Sequence, residues 1–180
     1  VSYSVKEISG AITEVFHSDN GNVPSGTAPI TDEEFSIIRH APHLYKLVSG
    51  VVVVNEGLEL KEAKSKKIYS VNLQCEQLIV NGFSSSALGV LHAYQSQRED
   101  QLNLLGSLAG GTGGPFKCEL NGAWQYRAHT AAEIVQVFSD GSAYKLALLQ
   151  QCEALKVAVA AATNTEELGG IEIDYSSAAQ

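Results

Sequence analysis

The run PFKCELNGAWQYRA, residues 115–128, constrains the fold more than any other stretch, because two alternating apolar and polar segments meet at Asn121-Gly122. That pair tolerates the positive backbone angles of a two-residue hairpin turn. Side chains alternate faces with a period of two, so the turn fixes the whole register. Leu120 faces Ala123, Cys118 faces Gln125 and Phe116 faces Arg127 on one side, while Glu119 with Trp124 and Lys117 with Tyr126 occupy the other. A β-hairpin over 116–127 is predicted, with one face able to bury and the other to bind. Trp124 and Tyr126, flanked by Lys117 and Glu119, are the candidate partner-binding residues, since aromatic side chains supply large contact area at small entropic cost. The alternative use of the two rings is to cover a neighbouring helix of the same chain.

The hairpin interrupts helical periodicity. After it, Thr130 and Glu133 spell a capping box. Ile134, Val137, Phe138, Gly141, Tyr144, Leu148, Cys152, Leu155, Val159 and Ala162 then recur near the spacing of a bundle or coiled-coil seam. That spacing permits self-association. Asp140-Gly141 is the weak point, where glycine costs about 1 kcal/mol relative to alanine and a kink is expected. Before the hairpin, Lys64, Ile68, Val71, Cys75 and Leu78 predict a helix of about five turns from Lys61, ended by Gly82. In HAYQSQREDQLNLL, residues 92–105, Ser96 is the expected cap with Glu99 reaching back, and Leu102, Leu105 and Leu108 the expected inner face. The glycine-rich GSLAGGTGG, residues 106–114, has no following Lys-Ser or Lys-Thr and leads into a strand, so it reads as a connector and not a phosphate cradle.

The first 60 residues read differently. VSYSVKEISGAITEVFH suits two short strands around Ser9-Gly10, residues 18–30 a surface loop rich in turn formers, and Thr31 with Glu34 a capped helix stopped by Pro42. LYKLVSGVVVVNEG then predicts a strand pair around Ser49-Gly50, because consecutive valines favour the pleated sheet. The expectation is an α+β chain. A small antiparallel β module with a short helix, residues 1–60, precedes a mainly helical domain, 61–180, that carries the hairpin and a long C-terminal helix.

With 44% hydrophobic and 18% charged residues, the chain has the balance of a folded protein. A net charge of -8 argues against broad binding to nucleic acid or anionic membrane, either of which needs a cationic surface. No apolar run approaches the roughly 20 residues that span a bilayer, and VSYSVKEISG lacks the regions of a secretory signal, so synthesis in the cytoplasm is expected. Cys75, Cys118 and Cys152 are odd in number and far apart, which favours buried thiols over a disulfide framework. The cluster His40-Ala41-Pro42-His43 lacks the further ligands that zinc needs, and no Gly-x-Ser-x-Gly elbow is present. No catalytic constellation, metal site or cofactor motif is expected.

Several motifs resemble a family of small tail proteins of bacteriophages and prophages over about residues 61–175. They are Asn81-Gly82-Phe83, SSALG at 85–89, His92, Tyr94, Ser96, DQLNLLG at 100–106, the hairpin containing Cys118, and HTAAEIVQV at 129–137 followed by a long helix. Upstream, GNVPSGTAPITDEEFSII, residues 21–38, is similar to the N-terminal part of phage tail-fibre assembly proteins. The resemblance implies a non-enzymatic virion component, made in the host cytoplasm, that binds tail-fibre or baseplate proteins. Its motif residues Phe83, His92, Tyr94, Asp100, Gln101, Asn103, His129 and Thr130 come without assigned roles. A fibre-assembly chaperone and a saccharide-binding or saccharide-processing protein are the alternatives.

Overall fold

Three dipeptides with both residues at positive φ build the three tight hairpins: Ser9-Gly10, Ser49-Gly50 and Asn121-Gly122. Such pairs match the right-handed twist of the strands they join. In the computed structural model, which describes residues 2–178, the fold is α+β. By its internal contacts the chain divides into two units, residues 1–66 with 162–170 and residues 67–161 with 171–180. Residues 162–170 thus join the N-terminal stretch in the first unit.

In the first unit, β1 (Ser2–Ile8) pairs on one side with β2 (Ala11–Ser18) and on the other with β3 (Ala28–Ile30). The end of the expected loop is thus a strand. Pro29 is tolerated there because β3 lies at the sheet edge, where a missing N–H leaves no ladder bond unmade. Helix α1 (Asp32–Ile38) carries the expected capping box: Thr31 Oγ1 accepts from the Glu34 N–H at 3.1 Å, and Glu34 Oε2 accepts from the Thr31 N–H at 2.8 Å. The other Glu34 oxygen accepts from Val52 N at 3.1 Å, which ties the helix start to the hairpin β4 (Tyr45–Val48) and β5 (Val51–Val54). Val5, Ile12 and Ile38 form the core between these elements.

Helix α2 (Glu56–Asn81) begins at Glu56 and not at Lys61. Gly57 lies in its first turn, where a glycine is harmless because those N–H groups need no intrahelical acceptor. Gly82, at φ 112°, then leaves the helix, and a side chain there would overlap the Tyr94 carbonyl.

In the second unit, β6 (Phe83–Ser85), β7 (His92–Tyr94), β8 (Gly114–Leu120) and β9 (Ala123–His129) form an antiparallel sheet in that order. The β8–β9 register agrees pair for pair with the one read from Asn121-Gly122. Between β7 and β8 runs α3 (Arg98–Gly110), capped by Gln97 with Asp100 and not by Ser96 with Glu99. Leu104 packs inward and Leu108 is half-buried, whereas Leu102 and Leu105 are exposed, so only Leu108 of the expected inner face is covered. Ser96 is buried instead, its carbonyl accepting from Gln101 Nε2 at 2.9 Å.

Helix α4 (Ala131–Ala161) runs without a break through Asp140-Gly141. Gly141 serves contact and not flexibility: a Cβ there would sit 2.6 Å from the tip of the Phe83 ring. The expected seam is used inside the chain, with Leu148, Cys152 and Leu155 packed against Val71 and Cys75 of α2. The C-terminal segment completes this cluster, for Tyr175 is buried and its hydroxyl donates to the Val71 carbonyl at 2.9 Å. A short helix, α5 (Thr165–Gly170), belongs to the first unit.

Gly141→Ala should gain about 1 kcal/mol in helix propensity and still lower stability by roughly 1–3 kcal/mol net through overpacking on Phe83, as read by urea unfolding. Adding Phe83→Leu should recover part of that loss. Glu34, Glu133 and Glu167 are each held below the usual carboxylate range, first by the backbone N–H each accepts, from Thr31, Thr130 and Thr163. A depressed folded-state pKa adds stability above the unfolded value of 4.5 and loses it as pH falls through the folded value. The urea midpoint should therefore hold from neutrality to about pH 5 and decline below it, with a shallower decline in Thr130→Ala. A midpoint flat across that acid range would contradict the assignment.

Candidate functional site

Helix α3 and the β8–β9 hairpin flank a groove of about 410 Å³. Phe83, Tyr94 and Val137 contribute to its lining, α3 adds Asp100, Asn103, Leu104 and Ser107, and the hairpin adds Pro115, Phe116, Lys117 and Tyr126. The structure thus gathers four of the predicted motif residues with two of the predicted partner-binding residues. Tyr126 is 73% exposed and Trp124 41% exposed. Lys117 Nζ lies 5.9 Å from the Trp124 ring centroid, a cation–π distance that holds the ammonium beside the hairpin's aromatic surface. Glu119 reaches the turn, its Oε1 accepting from Gly122 N at 2.5 Å. The hairpin face therefore presents two accessible rings and a cation from a turn braced by its own carboxylate.

Beneath the groove the polar motif residues are engaged with one another. His129 is buried, and its Nδ1 lies 2.9 Å from the Arg127 carbonyl, which can only accept. Nδ1 therefore carries the proton, and Nε2 accepts from the Tyr94 hydroxyl at 2.9 Å. Tyr94 is itself buried, and loss of solvation pushes its hydroxyl far above the usual tyrosine value, so it remains a phenol and a donor. Phe83 stacks on Tyr94 at 5.7 Å between centroids, and Phe116 meets the His129 ring edge-on at 6.0 Å. His92 is held by the same kind of bond, Nδ1 to the Val90 carbonyl at 2.8 Å.

Of the remaining motif residues, Thr130 and Asp100 fix helix starts. Thr130 Oγ1 accepts from Glu133 N at 3.3 Å and Glu133 Oε2 accepts from Thr130 N at 2.6 Å, the capping box read from the sequence. Asp100 Oδ2 accepts from Gln97 N at 3.0 Å. Gln101 spans from the Ser96 carbonyl to Lys145 Nζ, which it meets at 3.3 Å. Asn103 has no such bond among the described residues and lies exposed in the groove lining.

Sequence reasoning quoted Ser85 within a motif and Asp140 at an expected kink but missed that they pair. The Ser85 hydroxyl donates to Asp140 Oδ2 at 2.5 Å, and Asp140 Oδ1 accepts from Gln136 Nε2 at 2.6 Å, so a carboxylate beside a presumed kink is the anchor of β6 on α4. No local pattern marks such a long-range pair. The three thiols are free and buried. Burial pushes Cys75 and Cys118 upward, with neighbouring Cys152 adding to the shift of Cys75. In the first unit His43 Nε2 and Glu62 Oε2 lie within hydrogen-bond distance at 3.1 Å. Among the described residues no helix is long and apolar enough to cross a membrane.

Residues 62–177 match a family model described as a domain of unknown function, DUF4376. The chain belongs to that family. No curated protein and no solved structure matches it. The DUF4376 segment contains every residue lining the groove, the Tyr94–His129 pair and all three thiols.

Tyr94→Phe should cost roughly 1–3 kcal/mol in urea unfolding, because it strands the buried Nε2 of His129 without a donor. Tyr126→Phe alters an exposed hydroxyl and should stay within about 0.5 kcal/mol. Equal effects from the two substitutions would show that the buried bond carries no special weight.

Proposed function

We propose that this chain is a non-enzymatic structural component of a bacteriophage tail that grips a tail-fibre or baseplate protein through its hairpin. The observation that carries the reading is the exposed pair Trp124 and Tyr126 with Lys117, set on a register-locked hairpin beside a groove. Accessible aromatic anchors on a rigid element are what a protein partner can bury with little loss of entropy. Supporting the non-enzymatic part, the histidines, tyrosine and carboxylates of the motif set hold the fold's own backbone and helix ends. The tail itself rests on the resemblance of the Asn81–Phe83, Ser85–Gly89, Asp100–Gly106 and His129–Val137 motifs.

Co-expression with the neighbouring fibre protein tests the grip. The chain should co-purify with the fibre, and Trp124→Ala or Tyr126→Ala should each weaken binding by about tenfold or more, the 1.4 kcal/mol expected of an anchor residue. Failure to co-purify with either the fibre or a baseplate protein would defeat the proposal. Mass spectrometry of purified particles then separates roles: stoichiometric presence supports a virion component, and absence supports an assembly chaperone.

A further inference from the structure

The sheet of the second unit ends in two unlike edges. On one side β6 has only three residues and is held on α4 by the Phe83–Gly141 contact and the Ser85–Asp140 bond. On the other, β9 has seven residues and, among the described residues, β8 as its single strand neighbour. Leu120 and Ala123 close the two-residue turn as a hydrogen-bonded pair, so Cys118 with Gln125 and Phe116 with Arg127 also exchange backbone bonds. Trp124, Tyr126 and Ala128 fall between them. Their N–H and C=O groups point away from β8, all three residues are exposed, and none has another backbone partner among the described residues. A long, open edge of this kind is a template for another strand.

We propose that β9 pairs antiparallel with β9 of a second copy, about a two-fold axis passing beside Tyr126. Only one register uses every outward group. It sets Tyr126 against the partner's Tyr126 and Trp124 against the partner's Ala128, a large side chain beside a small one. A slip of two residues one way places Ala128 opposite the Gly122 turn. The opposite slip places Trp124 opposite Thr130, whose N–H is already given to Glu133. The proposal is independent of the tail reading.

The test is light scattering and sedimentation of the full chain at micromolar concentration, where the expected mass is twice that of one chain. Tyr126→Pro removes an outward N–H and no β8–β9 bond, so it should yield a folded monomer by circular dichroism. Should that variant unfold, Tyr126→Cys decides. The two introduced thiols would face each other with Cα atoms about 5.5 Å apart, within disulfide reach. Mild oxidation should then link the dimer. Trp124→Cys should not link, because its counterpart lies four residues along, about 13 Å away. A monomeric wild-type chain overturns the proposal, as does a dimer that ignores Tyr126→Pro and fails to link through Tyr126→Cys. Protection of the Trp124–Ala128 amides from hydrogen exchange only on adding the fibre protein would assign the edge to that protein and also overturn self-pairing.

Discussion

The hydrogen bond from Tyr94 to His129 joins the centre of the second unit's sheet to the point where the chain leaves it. Both groups are buried, and each would be left with an unmet bond if the other moved, at a cost of about 1–3 kcal/mol. His129 can accept only because its other nitrogen donates to the Arg127 carbonyl. One residue later Thr130 begins α4 with a reciprocal cap, so strand end, tautomer and helix start are set within two consecutive residues. The direction of α4 follows, and with it the placement of Val137 beside Tyr94 and Cys118.

That arrangement also decides which surfaces stay open. Helix α4 carries Asp140 and Gly141 to β6, where the carboxylate receives Ser85 and the missing side chain admits the Phe83 ring. The short edge of the sheet is thereby closed. The chain passes from β9 directly into α4 and adds no strand beyond it, which leaves the outer edge of β9 and the rings of Trp124 and Tyr126 exposed. Pro115 fits the same logic. It lies opposite Ala128, a pair that exchanges no backbone bond, so its missing N–H leaves the β8–β9 ladder intact.

Elements governed by short-range chemistry were legible in the sequence. The hairpin register, the Thr31 and Thr130 capping boxes and the strand pairs at Ser9-Gly10 and Ser49-Gly50 each depend on residues within a few positions of one another. What could not be read depends on distant partners. Gly141 reads as a weak point in its helix, yet it sits under a ring from a different element. The start of α3 lies one residue later than expected, at a Gln97 that also reaches back to the Val80 carbonyl at 3.2 Å, a contact no local pattern announces. The groove was legible only in its parts: Asp100 and Asn103 stood out as motif residues and Lys117 and Tyr126 as hairpin residues, but their shared cavity arises from the fold.

The apolar stripe of α4 bears on how such a chain meets a partner. Near-heptad spacing suits either an interchain seam or an internal bundle, and sequence alone leaves the two equivalent. Here Ile134, Val137, Leu148, Cys152, Leu155 and Val159 are buried within the chain, and the segment ending in Tyr175 and Ala178 covers part of the same cluster. Helix-to-helix association through this seam would require uncovering that core. A contact made through the hairpin requires no such rearrangement, because its rings and the backbone groups of β9 already face outward. For a protein proposed to act by gripping others, the low-barrier route is the sheet edge and its aromatic face, with α4 as the rigid support that holds them in register.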